Sequence, residues 1–294
     1  MSLFKGSGVA MVTAFSDSGI NYGAQEKIIQ HILQGGTNAI FVCGTTGEPS
    51  TMTAAEREAL LDFTIKTVNK RVPVYAGSGG NNTAETVRFS RRCQDIGADG
   101  LMVVTPYYNK CTQNGLVQHY AAIGEAVNIP IIAYNVPGRT GVDIKPETAA
   151  RLAQIKNIRA IKEASGDIHQ ISETMRLTQG KLITYSGDDS LTLPAVALGA
   201  AGVVSVAANV IPDKVSLLTK LALDGKFSAA AKEHFAAAPL MKLLFCEVNP
   251  IPVKKALQFL GFDAGIPRLP LTEMEKENAV LLHAEMQRLG LIKS

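Results

Sequence analysis

The sequence predicts an α/β protein, a closed (β/α)8 TIM barrel with a C-terminal helical appendage, and three observations carry that expectation. Short β-branched, apolar runs alternate with segments of helical spacing, as parallel strands joined by crossover helices require. Eight such runs recur every ~20–33 residues, near the ~30 expected when a barrel of about 250 residues is divided eight ways. Beyond about Lys226 the strand pattern stops and helical spacing alone continues. A doubly wound sheet is the second choice, because eight strand signals exceed what that fold usually needs.

The predicted strands are Val9–Thr13, Ala39–Val42, Val72–Ala76, Gly100–Val104, Ile129–Tyr134, Ile158–Lys162, Leu182–Tyr185 and Val203–Val206. Thr53 with Glu56 reads as a capping box ahead of Arg57–Lys70, and Asn82 with Glu85 as a second one. Pro146 suits a first helical turn, and Gly35–Gly36 and Gly97 suit helix C-termini. Phe227–Val248, Pro252–Leu260 and Thr272–Leu289 read as helices. The expected organisation is a barrel over residues 1–225, carrying the active site, and a helical region over 226–294.

Composition narrows the function classes. Of 294 residues, 46% are hydrophobic and 19% charged, as in packed α/β chains, with no low-complexity stretch or long linker. The net charge of +3 comes from interspersed Lys and Arg without a basic stripe, so a nucleic-acid partner is not expected. No apolar span reaches membrane length and no signal-peptide pattern is present, so no membrane partner is expected either. Cys43, Cys93, Cys111 and Cys246 are scattered without a CxxC pair, which favours a reducing, cytoplasmic setting.

Barrel chemistry gathers at the C-terminal ends of strands, so polar residues there carry the functional reading. Lys162 ends the sixth run, and a period of two places it on one face with Ile158 and Ala160. Turned inward it would be desolvated, which favours the neutral amine that attack on a ketone requires. A lysine paired with Glu163, or reaching to solvent, is the plainer alternative. Tyr134 ends the fifth run as a proton carrier or as an amphipathic rim residue. Thr45 and Thr46 are carboxylate donors or turn residues, and Arg139 is a carboxylate clamp or an exposed loop arginine. The five histidines show no ligand-like spacing, so no metal is expected; Gly77–Gly80 lacks the Lys-Ser/Thr of a P-loop. Asp188 and Asp189 read as caps of the following helix.

In order along the chain stand GTTGE (Gly44–Glu48), TPYYN (Thr105–Asn109), YNVPGRTG (Tyr134–Gly141), IKEASGD (Ile161–Asp167) and YSGDD (Tyr185–Asp189). Together they resemble the dihydrodipicolinate synthase family of pyruvate-dependent class I aldolases, from about Gly6 to the C-terminal helices. YNVPGRTG with its arginine is the most specific of these motifs. The resemblance implies condensation of pyruvate with L-aspartate 4-semialdehyde toward diaminopimelate and lysine, without a cofactor. It implies Lys162 as the Schiff-base lysine and Tyr134 as general acid/base, with Thr45 and Tyr108 as its relay, Tyr108 reaching in from a neighbouring subunit. Thr46 and the Val204 backbone match pyruvate contacts, Gly187 falls among the substrate-binding positions, and Arg139 matches the residue holding the semialdehyde carboxylate. A homotetramer, a dimer of tight dimers, is implied as well. Ser50, Asn81, Glu85 and Tyr107 match the lysine-binding allosteric site of inhibited members. Ala54 and Arg57 replace its two histidines, so weak or absent inhibition by L-lysine is expected.

Three rival readings frame the tests. Another aldolase of the superfamily, such as N-acetylneuraminate lyase or a 2-keto-3-deoxy sugar-acid aldolase, would share the lysine and tyrosine but usually not Arg139. A non-catalytic barrel that senses pyruvate or an amino acid would form no covalent adduct. A metal-dependent aldolase would want clustered His and carboxylate ligands.

Overall fold

The computed structural model describes residues 3–293, and their eight parallel strands close into a barrel. The strands are β1 (Gly6–Ala10), β2 (Ala39–Val42), β3 (Val74–Gly77), β4 (Gly100–Val104), β5 (Ile131–Asn135), β6 (Ile158–Glu163), β7 (Ile183–Ser186) and β8 (Gly202–Ser205). Each pairs with its neighbours in chain order, and β1 closes the ring against β8. The doubly wound alternative therefore falls away.

Around the barrel run α1 (Tyr22–Gln34), α2 (Ala54–Val68), α3 (Thr83–Ile96), α4 (Gln113–Ala126), α5 (Pro146–Leu152), α6 (Ile168–Thr178), α7 (Thr192–Ala197) and α8 (Pro212–Leu223). Three further helices follow, α9 (Phe227–Leu243), α10 (Ile251–Phe259) and α11 (Lys276–Arg288). Strand alternation sorts the core into two layers. Ile40, Val42, Leu101, Val103, Ile131 and Ile161 point outward beneath the helices. Phe41, Tyr75, Met102, Ile132, Ala160, Tyr185 and Val204 fill the interior. Phe4 stacks on Tyr185 and accepts its hydroxyl hydrogen bond, which helps fill the N-terminal end of the barrel and leaves the opposite mouth for chemistry.

Local differences from the sequence expectation have physical causes. The first strand lies earlier than Val9–Thr13, at Gly6–Ala10, where Gly6, Ser7 and Gly8 hide the strand signal. Val12 leaves the ladder because its N–H donates to Asn209 Oδ1 at 3.1 Å. Ile158 packs with the outer layer instead of sharing an inward face with Ala160 and Lys162, because the β5–β6 register shifts between Ile131 and Ile132. The Thr53–Glu56 capping box is complete. Asn82 caps α3, but the Glu85 carboxylate turns to Arg88, so the reciprocal half of that box is missing.

Candidate active site

The mouth at the C-terminal ends of the strands holds a cavity of about 550 Å³. Its wall includes Thr45, Thr46, Tyr134, Arg139 and Lys162, the main group of polar positions expected from the sequence, together with Gly187. Lys162 and Tyr134 are register partners across β5 and β6, which sets their side chains side by side. Lys162 is 3% exposed and Tyr134 6%, and Lys162 Nζ lies 4.3 Å from the tyrosine ring centroid. The burial places this lysine in a small class, since lysines are rarely buried without an ionic partner.

Glu163 is not that partner. It points to the other side of β6, where its carboxylate accepts from Asn135 Nδ2 at 3.0 and 3.1 Å and from the Ser165 N–H at 2.8 Å. Burial pushes its carboxyl group above the ordinary range, against those hydrogen bonds. Among the described residues Lys162 forms no ion pair. Gly187 is required beside it: a Cβ there would stand 2.9 Å from Lys162 Cε and 2.7 Å from Ala164 Cβ.

The GTTGE segment forms a tight turn at the end of β2. Cys43 and Glu48 bracket it in left-handed conformations, with φ of 57° and 56°. Such strain persists where the surroundings over-determine it. Thr45 is half-buried, whereas Thr46 is buried and its hydroxyl oxygen accepts from Asn249 Nδ2 at 2.9 Å. Glu48 accepts from Lys254 Nζ at 2.9 Å and from the Arg268 N–H at 2.9 Å, tying the turn to the C-terminal helices. Arg139 projects from a helical turn, Pro137–Thr140, and donates to the Asn249 carbonyl at 3.4 Å.

Two expected residues stand apart from this cavity. Val204 is fully buried inside the barrel, and Val206 supplies the wall in that stretch. Tyr108 is 92% exposed and lines an adjoining cavity of about 620 Å³, which shares Thr45, Tyr134 and Arg139 with the first. Ser50, Arg57 and Tyr107 line that second cavity, while Ala54, Asn81 and Glu85 do not. Asn81 donates to the Tyr107 carbonyl, and Arg57 donates to the Gly77 carbonyl at 3.1 Å while stacking on Phe89.

Asp188 caps the turn that follows it, accepting from the Ser190 N–H. Asp189 does not cap: it is buried, and its carboxylate accepts from Ser205 Oγ and from the Val206 and Ala207 N–H groups. It therefore fixes the loop after β8 that carries Val206, and burial raises its carboxyl group above the usual range. Asn249, Lys254 and this role of Asp189 escaped the sequence reading. The only signal for Asn249 was its place before Pro250 in a helical region, which marks a chain bend and nothing chemical.

A lysine buried without an ion pair among the described residues, beside a tyrosine at the mouth of a (β/α)8 barrel, is the arrangement that a lyase of the class I aldolase type needs. Residues 3–289 match the model of the dihydrodipicolinate synthetase family. The 4-hydroxy-tetrahydrodipicolinate synthase of Clostridium novyi is 47% identical over 96% of this chain and 95% of its own. Its counterpart numbered 1 in Clostridium acetobutylicum is 46% identical over the whole of both chains. The solved dihydrodipicolinate synthase of Aquifex aeolicus superposes with a TM-score of 0.96 at 45% identity, over 99% of this chain and 100% of its own. The chain belongs to the dihydrodipicolinate synthetase family.

Proposed function

We propose that this chain condenses pyruvate with L-aspartate 4-semialdehyde, as a 4-hydroxy-tetrahydrodipicolinate synthase serving diaminopimelate and lysine biosynthesis. The observation that carries the reading is the buried Lys162–Tyr134 pair, in a chain whose full-length relatives bear that enzyme's name. Lys162 attacks the ketone, and loss of water yields an imine that serves as the electron sink. Tyr134 carries the protons, and removal of one from the methyl group gives an enamine whose carbon attacks the aldehyde. Ring closure by the substrate's own amine displaces Lys162. The imine supplies the activation, so the chemistry asks for no metal or organic cofactor.

Thr46 donates its hydroxyl to the pyruvate carboxylate, with Gly187 and the β8 backbone near Val204 and Val206 closing around it. Arg139 takes the semialdehyde carboxylate, a guanidinium being suited to bidentate binding. A free phenol is a weak base at neutral pH, so Tyr134 works through a relay of Thr45 and Tyr108. The exposure of Tyr108 on a single chain supports its entering the site of a neighbouring copy, within a homotetramer built from tight dimers. Residues 1–225 supply the reacting groups, and 226–294 brace the mouth. No helix among the described residues is long and apolar enough to cross a membrane, and with four free thiols this supports a cytoplasmic enzyme.

Arg139 favours this substrate pair over the sugar-acid aldolases. Steady-state assays with pyruvate and each aldehyde test it: L-aspartate 4-semialdehyde should give the highest kcat/KM. A preference for N-acetylmannosamine or a sugar aldehyde would overturn the reading.

A further inference from the structure

We infer that Asn249, outside the barrel strands, is the positioning residue that aims the Thr46 hydroxyl at the 2-oxo acid, an inference that rests on the condensation reading above. Asn249 sits in the bend between α9 and α10, is 4% exposed, and lines the cavity that holds Lys162. Its amide nitrogen donates to Thr46 Oγ1 at 2.9 Å across 203 residues of chain. A threonine hydroxyl has one proton and two lone pairs. With one lone pair taken by Asn249, its proton is turned away from the amide, toward the cavity that both residues line. A carboxylate is the strongest acceptor a substrate can bring there.

Two further observations fit a residue held by the site and not by its own bend. The Asn249 carbonyl accepts from Arg139 Nη2 at 3.4 Å, so one residue touches both proposed carboxylate holders. Its Oδ1 is buried without a partner among the described residues, although a freely packing bend residue would be expected to satisfy it. The side chain acts on Thr46 and the main chain on Arg139. Substituting the side chain should therefore separate the two substrates.

The test uses the full chain with N249A, N249D, T46V and the double variant N249A/T46V. Each is followed by KM for both substrates, kcat, borohydride trapping against pyruvate concentration, and thermal midpoint. N249A should raise the pyruvate KM about tenfold, as loss of an aligned hydrogen bond to a charged group does. The semialdehyde KM and kcat should stay within about threefold, a split that general distortion of the mouth would not produce. In the T46V background N249A should add nothing, the mark of a residue acting through another. N249D keeps the shape of asparagine but cannot donate when ionised, so it should raise the pyruvate KM at least as far; it carries the test if N249A does not fold. A pyruvate KM within about twofold of wild type for N249D, or multiplicative effects of N249A and T46V, would overturn the proposal. Wild-type enzyme that traps no pyruvate would overturn the condensation reading and this inference together. Normal wild-type trapping with unaltered variants would sink the inference alone.

Discussion

Replacing Lys254 with methionine should be among the most destabilising single changes in this protein, and the structure sets the size of the effect. The Lys254 and Glu48 side chains are each 1% exposed, 2.9 Å apart. The ammonium also donates to the Ile266 carbonyl at 3.3 Å and lies 4.5 Å from the Phe15 ring centroid. Burial pushes Lys254 below the usual lysine range, and the Glu48 carboxylate works against that shift. Removing the ammonium leaves the carboxylate with one hydrogen bond among the described residues, from the Arg268 N–H, and with the Arg268 guanidinium acting on it only through its charge. Breaking one side of a buried pair costs about 3–5 kcal/mol, because it leaves an uncompensated buried charge, whereas replacing both sides with well-packed apolar groups of similar volume is often close to neutral. For a chain of this size each kcal/mol moves the midpoint by roughly 2 °C, so K254M should melt about 6–10 °C lower. The double variant E48Q/K254M should recover most of that loss. Thermal melts and urea titrations of wild type, both single variants and the double variant measure it. A K254M midpoint within about 1 °C of wild type, or a double variant no more stable than K254M, would refute the reasoning.

Other outcomes follow from the same geometry. G187A should lose some stability and on the order of 100-fold in kcat/KM, because the added methyl group overlaps Ala164 Cβ as well as Lys162 Cε and small displacements of a reacting group are costly. A G187A enzyme with wild-type kinetics would contradict the tight contact. Glu56, hydrogen-bonded by Arg268, is held down to about 2 from its ordinary 4.5. A depressed carboxyl stabilises the fold above its unfolded value, and that contribution fades as pH falls from about 5 toward 2. Denaturant melts at stepped pH should show E56Q losing less stability over this window than wild type, by a modest margin because solvent screens the pair. Inhibition by L-lysine should be weak or absent, since Arg57 sets a fixed positive charge in the cavity lined by Ser50 and Tyr107. Half-inhibition at micromolar lysine would show otherwise.

Much of this was legible in the chain itself, for physical reasons that also mark the limit. Strand ends such as Lys162 and Tyr134 stand out together, because several polar segments close apolar runs at the same end of the barrel, although each residue alone has an ordinary structural reading. The alternation points to parallel strands joined by crossover helices, which an open doubly wound sheet would also satisfy; it is the count of eight that favours the barrel. The register shift that turns Ile158 outward leaves no trace in a local pattern, since it depends on how β5 meets β6. Asn249 and Lys254 were hidden for a related reason. Each acts on the GTTGE turn across more than 200 residues of sequence, and helical spacing in the appendage predicts packing, not a hydrogen bond to Thr46 or Glu48. Asp189 looked like a helix cap because its neighbour Asp188 is one; only the approach of the loop after β8 separates their roles.

Reduction of the enzyme–pyruvate mixture with borohydride, followed by peptide mapping in a mass spectrometer, tests the central claim most directly. One reduced pyruvyl group per chain, carried by the peptide that contains Lys162 and absent from K162A, is the predicted result. An unmodified chain, or an adduct on any other lysine, would contradict it.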